Sequence, residues 1–210
     1  MENSHRQFTP EAKKKYISEA QKQLVDKMLL ERLSIAAISR VTGISQSWLY
    51  TYVKQKAIYT SEMMDIQLGD DEEIELECDE IWSFWGSKKH LQWLWVVLER
   101  KTRMMVAACV GDRSIETAKK LWERVLIIWR KRAKFYTDSW SVYRQVIPNS
   151  QHPASAKGSG GTSLIEHFNN TLRQRVSCLT RRTLPFSKNP ENHIGIIFNF
   201  IHHYNASLLT

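Results

Sequence analysis

A chain of 210 residues with 42% hydrophobic and 25% charged side chains has the composition of one or two globular units, which excludes extensive disorder. Its 30 Lys and Arg against 22 Asp and Glu leave a net charge of +8, and such a surplus draws a protein toward polyanions by releasing their condensed counterions. Cys78, Cys109 and Cys178 form no CxxC pair for a disulfide framework or a zinc ribbon, and no apolar run suits a signal peptide or membrane span, so a reduced cytoplasmic, nucleoid-associated protein is expected.

In chain order, Thr9-Pro10-Glu11 reads as a helix start, and a helix is expected to run from there through Leu24, Met28 and Leu33. Residues 34–54, SIAAISRVTGISQSWLYTYVK, have the pattern of a helix-turn-helix. Gly43 sits where the chain must turn with positive φ, Ser45 is placed to cap the second helix, and Ile38, Ile44, Leu49 and Tyr52 have the spacing to pack the pair. Gln46, Ser47, Tyr50, Thr51 and Lys54 then face outward. Gln reads adenine in a major groove, while hydroxyls and Lys meet phosphates or base edges. Lys13, Lys14, Lys15, Arg40 and Lys56 add positive charge nearby. The plainer alternative is a helical hairpin that only packs on the rest of the chain. Composition divides the sequence into a helix-turn-helix DNA-binding domain at 1–57, an acidic connector at 58–73 and a second domain at 74–210.

Beyond the connector, 74–84, 92–100 and 103–111 are rich in β-branched, aromatic and sulfur-bearing residues and read as strands, with a polar turn at 99–102. Residues 114–132 return to helical periodicity, with Ser114 as N-cap and Leu121, Val125 and Ile128 on the buried face. A short strand is expected at 134–138, a Gly/Ser loop at 157–163, a helix at 164–179 and a last helix at 192–204. Three consecutive strands, a crossover helix and a fourth strand suit an α/β fold with a mixed sheet flanked by helices.

Alternation along 74–84 puts Ile74, Leu76 and Cys78 on one face and Glu75, Glu77 and Asp79 on the other. Carboxylates on a central strand are costly to bury unless they bind a cation. Asp138 ends its strand, where ligands collect in α/β sheets. Glu166 lies in the first turn of a helix whose buried stripe is Ile165, Phe168, Leu172, Val176 and Leu179, with Glu166, Asn169, Asn170 and Arg173 as an adjoining polar stripe. Arg173, two turns beyond Glu166, is in place to meet a substrate phosphate. Carboxylates from two strands and a helix suit oxygen-ligated Mg²⁺ or Mn²⁺. A pair of such ions about 3.5–4 Å apart would stabilise the attacking and leaving oxygens of an in-line phosphoryl transfer. Taken singly, Asp138 is better read as a turn cap, Glu166 as a helix N-terminal charge and Asp79 as a lysine partner. The three together, in this element order, point to a metal site. His167, His193, His202 and His203 lack HExxH spacing and read as surface or structural, and the glycine loop is not GxxxxGK[ST].

Four ordered passages, ECDEIWS at 77–83, FYTDSW at 135–140, IEHFNNTLR at 165–173 and the basic, Ser-containing RRTLPFSK at 181–188, resemble transposases of the insertion sequence 1 family of bacterial mobile elements. The resemblance covers the helix-turn-helix and nearly all of the second region. It implies a ribonuclease-H-like DDE core in which Asp79, Asp138 and Glu166 match the acidic triad, and Arg173 matches the basic residue that follows the Glu. It implies recognition of terminal inverted repeats, cleavage there and joining of the 3′ ends to target DNA; the mechanism expected is metal-dependent hydrolysis and strand transfer without a covalent protein–DNA intermediate. Arg173, Arg175, Arg181, Arg182 and Lys188 are the expected phosphate contacts on double-stranded DNA, and pairing two ends implies a homo-oligomer. Family members usually carry a zinc-binding cysteine motif ahead of the helix-turn-helix; no cysteine precedes Cys78 in this sequence, so weaker end recognition is expected. Two other readings remain at this point: a catalytically inactive helix-turn-helix regulator derived from such an element, and a host nuclease that cuts without joining.

Overall fold

Capping chemistry fixes where the first helices begin. A computed structural model describes residues 16–59, 73–86, 89–138, 140–153, 161–179 and 189–209. The Thr9 helix start, most of the connector, residues 157–160 of the glycine loop, and Arg181, Arg182 and Lys188 lie outside the described residues. Helix α1 (Glu19–Leu30) starts at a capping box: the Ser18 hydroxyl accepts the Gln21 N–H at 3.3 Å, and the Gln21 side chain accepts the Ser18 N–H at 3.1 Å. It stops short of Leu33. Ser34 caps α2 (Ile35–Thr42), and Gly43 ends it at φ 69°, the left-handed conformation expected at the turn. The Ser45 hydroxyl accepts the Trp48 N–H at 3.3 Å and opens α3 (Gln46–Tyr59). Val25, Leu29, Ile35, Ile38, Ile44, Leu49 and Val53 form a core among these three helices. Half-buried Tyr52 stacks on Trp48 and donates to Asp26 at 3.2 Å.

The sheet comprises β1 (Glu75–Phe84), β2 (Leu91–Glu99), β3 (Met105–Gly111) and β4 (Lys134–Tyr136), in the order β3-β2-β1-β4. Strand β2 runs antiparallel to both β1 and β3, and β4 pairs parallel to β1. Glu99 folds the polar turn: its carboxylate accepts the N–H groups of Lys101 at 2.9 Å and Thr102 at 2.6 Å. The remaining described helices are α4 (Ile115–Arg124), α5 (Ile127–Arg132), α6 (Tyr143–Val146), α7 (Ser163–Arg175) and α8 (Pro190–Leu208). On one face of the sheet, Ile74, Leu76 and Cys78 pack with Trp95, Val97, Phe135 and the α4 residues Ala118 and Leu121. On the other, Ile81, Leu94, Val96 and Leu98 pack against Ile165, Phe168 and Leu172 of α7 and Ile197 and Ile201 of α8. The chain is thus a mixed α/β fold with helices on both faces. Among the described residues no helix is long and apolar enough to cross a membrane.

One expected helix is two. Ser114 caps α4 as expected, but Val125 is extended (φ −69°, ψ 133°) and ends the helix, so α5 starts afresh at Ile127. The break resets the helical phase. Trp129, 2% exposed, takes the inward position that unbroken periodicity assigns to Ile128, which is 48% exposed.

The N-terminal helices dock on α8. A Cβ on Gly195 would lie 2.2 Å from the Val53 carbonyl oxygen and 2.8 Å from its Cγ1, so only glycine lets α8 approach α3 this closely. Leu30 and Ile196 pack across the same junction, and exposed ion pairs Lys54–Glu191 (2.6 Å) and Arg175–Glu31 (3.3 Å) rim it. Such exposed pairs contribute little, so the apolar approach carries the docking. Gly195→Ala is expected to lower stability by about 1–3 kcal/mol through overpacking, despite a helix-propensity gain of about 1 kcal/mol. Urea unfolding checks this; an unchanged or raised midpoint would show that α3 is not seated on Gly195.

Candidate active site

The parallel pairing of β1 with β4 ends at Glu77–Tyr136, and Asp79 and Asp138 each lie two residues further along their chains. The two carboxylates therefore leave neighbouring strands at the same level. Because β4 ends at Tyr136, Asp138 stands in the loop just past the strand rather than within it. That loop is shaped by the Trp140 N–H, which donates to Asp138 Oδ1 at 3.0 Å. Buried Thr137 adds a hydrogen-bond contact with His152 Nε2 at 2.8 Å.

Asp79 points toward α7, where Asn169 Nδ2 donates to its Oδ2 at 2.6 Å. Burial pushes the Asp79 carboxyl above the usual carboxylate range, and the charges of Asp138 and Glu166 push it further, against the Glu80 N–H and the Asn169 amide. Glu166 lies one turn before Asn169 in α7, is exposed, and accepts from the Thr162 hydroxyl at 3.1 Å.

Glu77 anchors the start of α7, whose Ile165, Phe168 and Leu172 are packed on the sheet. Helix α7 has no local side-chain N-cap. Glu77, 0% exposed, reaches across from the sheet: its Oε2 accepts the Ile165 N–H at 2.9 Å, and its Oε1 accepts Arg100 Nε at 2.8 Å. One carboxylate thus satisfies an orphan donor of the first helical turn and sits favourably against the helix dipole. Arg100 also donates to Glu75 at 3.1 Å and lies 4.2 Å from the Tyr136 ring centre, while the Tyr136 hydroxyl donates to Glu75 at 2.5 Å. This network ties β1, β4 and α7 together beneath the site.

Glu80 faces the opposite side of β1, toward Arg113, whose Nη2 donates to its Oε2 at 3.1 Å. Burial pushes the Glu80 carboxyl up to about 7; neighbouring Tyr143 and Arg113 oppose the rise, and the charges of Asp138 and Asp79 add to it. Residue type and alternation alone assigned no role to Glu77, Glu80, Arg100 or Arg113. The available signal was Glu80 itself, an acid on the strand face otherwise given to Leu76 and Cys78.

The donor chemistry fits a hard divalent cation. Asp79, Asp138 and Glu166 offer only oxygens, and Asp79 lies within electrostatic reach of the other two, so a positive charge beside it would be welcome. They are not drawn into a finished ligand shell: among the described residues, no three His, Cys, Asp or Glu side chains sit close enough together to hold an ion as they stand.

Of the other expected contacts, Gln46, Ser47, Tyr50, Thr51 and Lys54 are all exposed along α3, with Lys54 paired to Glu191. Arg173 is exposed near the end of α7. Among the histidines, His167 is exposed, whereas His193 is buried, lies 2.6 Å from the Ser83 hydroxyl, and is pushed by burial down to about 4, a structural residue.

The family model described as IS1 transposase matches residues 74–205. The insertion element iso-IS1n protein InsB of Shigella dysenteriae is 36% identical over 125 residues, covering 60% of this chain and 92% of that protein. The insertion element IS1 4 protein InsB of Escherichia coli K12 is 31% identical over 145 residues, covering 66% of this chain and 81% of that protein. Among solved structures, a chain in the cryoEM structure of the simian T-cell lymphotropic virus intasome in complex with PP2A regulatory subunit B56 gamma aligns at a TM-score of 0.45 and 14% identity, over 86% of this chain and 69% of that one. With a family match that spans the whole sheet and the helices α4 to α7, this chain belongs to the IS1 transposase family.

Proposed function

We propose that this protein is a DNA transposase that binds the terminal inverted repeats of an insertion sequence, cleaves at the element ends and joins the 3′ ends to target DNA. Residues 74–210 are its ribonuclease-H-like catalytic domain, and residues 1–57 its helix-turn-helix reader. The observation that carries this reading is the placement of Asp79 on β1 within the fields of Asp138, just past β4, and Glu166, at the start of α7.

Asp79, Asp138 and Glu166 would hold two Mg²⁺ or Mn²⁺ ions. When bound, such a pair activates the attacking oxygen and stabilises the leaving one in an in-line phosphoryl transfer. The chain's own residues do the rest. Asn169 fixes the orientation of Asp79, and Glu77 fixes the start of α7 and with it Glu166. Arg173, on the exposed side of α7, meets the DNA backbone, joined by Arg181 and Arg182. Gln46, Ser47, Tyr50, Thr51 and Lys54 read the ends from the exposed side of α3. Two ends must be processed together, so the working form is a homo-oligomer on double-stranded DNA.

The test is an assay of the full chain with Mg²⁺ on duplexes that carry the inverted repeats flanking its gene, beside scrambled duplexes. Nicking at the repeats followed by joining to a second duplex is expected. Binding without any cutting would contradict the proposal, as would cutting that neither prefers the repeats nor leads to joining.

A further inference from the structure

Behind Asp79 and Asp138 lies a group of side chains to which the proposed reaction gives no task. Arg113, just past the end of β3, is held between two indoles: its guanidinium carbon is 4.7 Å from the Trp93 ring centre and 4.2 Å from that of Trp140. Its Nη2 donates to Glu80 Oε2 at 3.1 Å, and the Glu80 side chain is only 2% exposed. Glu80 is the residue after Asp79 in β1. At the other end of the group, the Trp140 N–H donates to Asp138 Oδ1 at 3.0 Å. The Trp140 ring also packs against Trp95, with centroids 5.3 Å apart, and meets Tyr143 edge-on at 6.0 Å.

An unbroken chain of contacts therefore joins the two carboxylates: from Asp79 through the peptide bond to Glu80, through its ion pair to Arg113, across the cation–π contact to Trp140, and back by its N–H to Asp138. The strand ladder cannot supply this link, because the β1–β4 pairing ends at Tyr136 and leaves Asp138 beyond it. Two like charges side by side repel, and a loop residue yields to that repulsion unless something holds it. Arg suits the task where Lys would not. Its planar guanidinium lies against both indoles while an N–H reaches the carboxylate.

We propose that Arg113, clamped between Trp93 and Trp140, is a positioning residue that pins the Asp138 loop to β1 and so sets the affinity of the site for its divalent cations. This rests on the assignment of Asp79 and Asp138 as ligands. A loosened Asp138 weakens ion binding, and a high ion concentration restores the rate. Residues that support metal ligands typically contribute about 10–100-fold in metal affinity.

The experiment measures Mn²⁺ binding to the DNA-free full chain by calorimetry, together with the Mn²⁺ concentration that half-saturates end cleavage. The variants are Trp140→Leu, Trp140→Phe, Arg113→Lys and Asp138→Asn. Trp140→Leu and Arg113→Lys are expected to raise both Mn²⁺ values by about 10-fold or more, with cleavage at saturating Mn²⁺ largely kept. Trp140→Phe retains a ring under Arg113 and is expected to stay close to the wild type. Arg113→Lys retains a cation for Glu80, so it tests the clamp without stranding a buried charge. Wild-type Mn²⁺ values in both Trp140→Leu and Arg113→Lys, with binding lost in Asp138→Asn, would overturn the clamp and leave the ligand assignment standing. Wild-type binding and cleavage in Asp138→Asn would overturn that assignment, and the clamp with it.

Discussion

Asp79→Asn, Asp138→Asn and Glu166→Gln are each expected to lower end cleavage by about 10³-fold or more while end binding stays near wild type. The size follows from removing a charge that must hold a cation against developing negative charge on the phosphate, where loss of even a neutral donor costs about 10²–10³. The amides keep the shape of each side chain, so folding is not at stake. For Asp79 a stability readout sharpens the test. Its carboxyl is raised by burial and by two neighbouring charges, and Asn still offers an oxygen to Asn169, so Asp79→Asn is expected to be at least as stable as the wild type. Loss of cleavage with gained or equal stability marks a functional charge. Any of the three variants that cleaves normally removes its residue from the site.

The second large effect is on stability. Glu77→Ala is expected to cost about 3 kcal/mol, because it leaves Arg100 without its buried partner and the Ile165 N–H without an acceptor. Glu77→Gln retains an oxygen for one of the two donors and is expected to cost less. Equilibrium unfolding in guanidinium measures both. Since Glu77 anchors the first turn of α7, cleavage should fall along with stability in Glu77→Ala, through displacement of Glu166. A wild-type unfolding midpoint for Glu77→Ala would mean that α7 is held by other contacts.

The contrast between Asp79 and Glu77 shows what a sequence reveals here. Alternation put both on one face of β1, and the structure agrees, but the partners of each come from distant parts of the chain: Asn169 for Asp79, Arg100 and Ile165 for Glu77. A residue's face follows from local periodicity; its partner follows from how elements dock. Local signals read well where the physics is local, as in the left-handed turn at Gly43, the Ser45 and Ser114 caps and the polar turn closed by Glu99. They fell short at α1, which begins at the Ser18–Gln21 box instead of running on unbroken from further upstream, and at Val125, where a periodic pattern continues through a break. Gly195 carried no pattern at all, because its role is set by the Val53 backbone pressing on it from another helix.

Most direct of all is anomalous diffraction from crystals of the full chain grown with Mn²⁺ and a DNA end. Manganese peaks are expected between Asp79, Asp138 and Glu166, at about 2.1 Å from their carboxylate oxygens, a distance typical of small hard cations. Manganese bound elsewhere, with these three side chains held about 10 Å or more apart around bound DNA, would contradict the shared metal site.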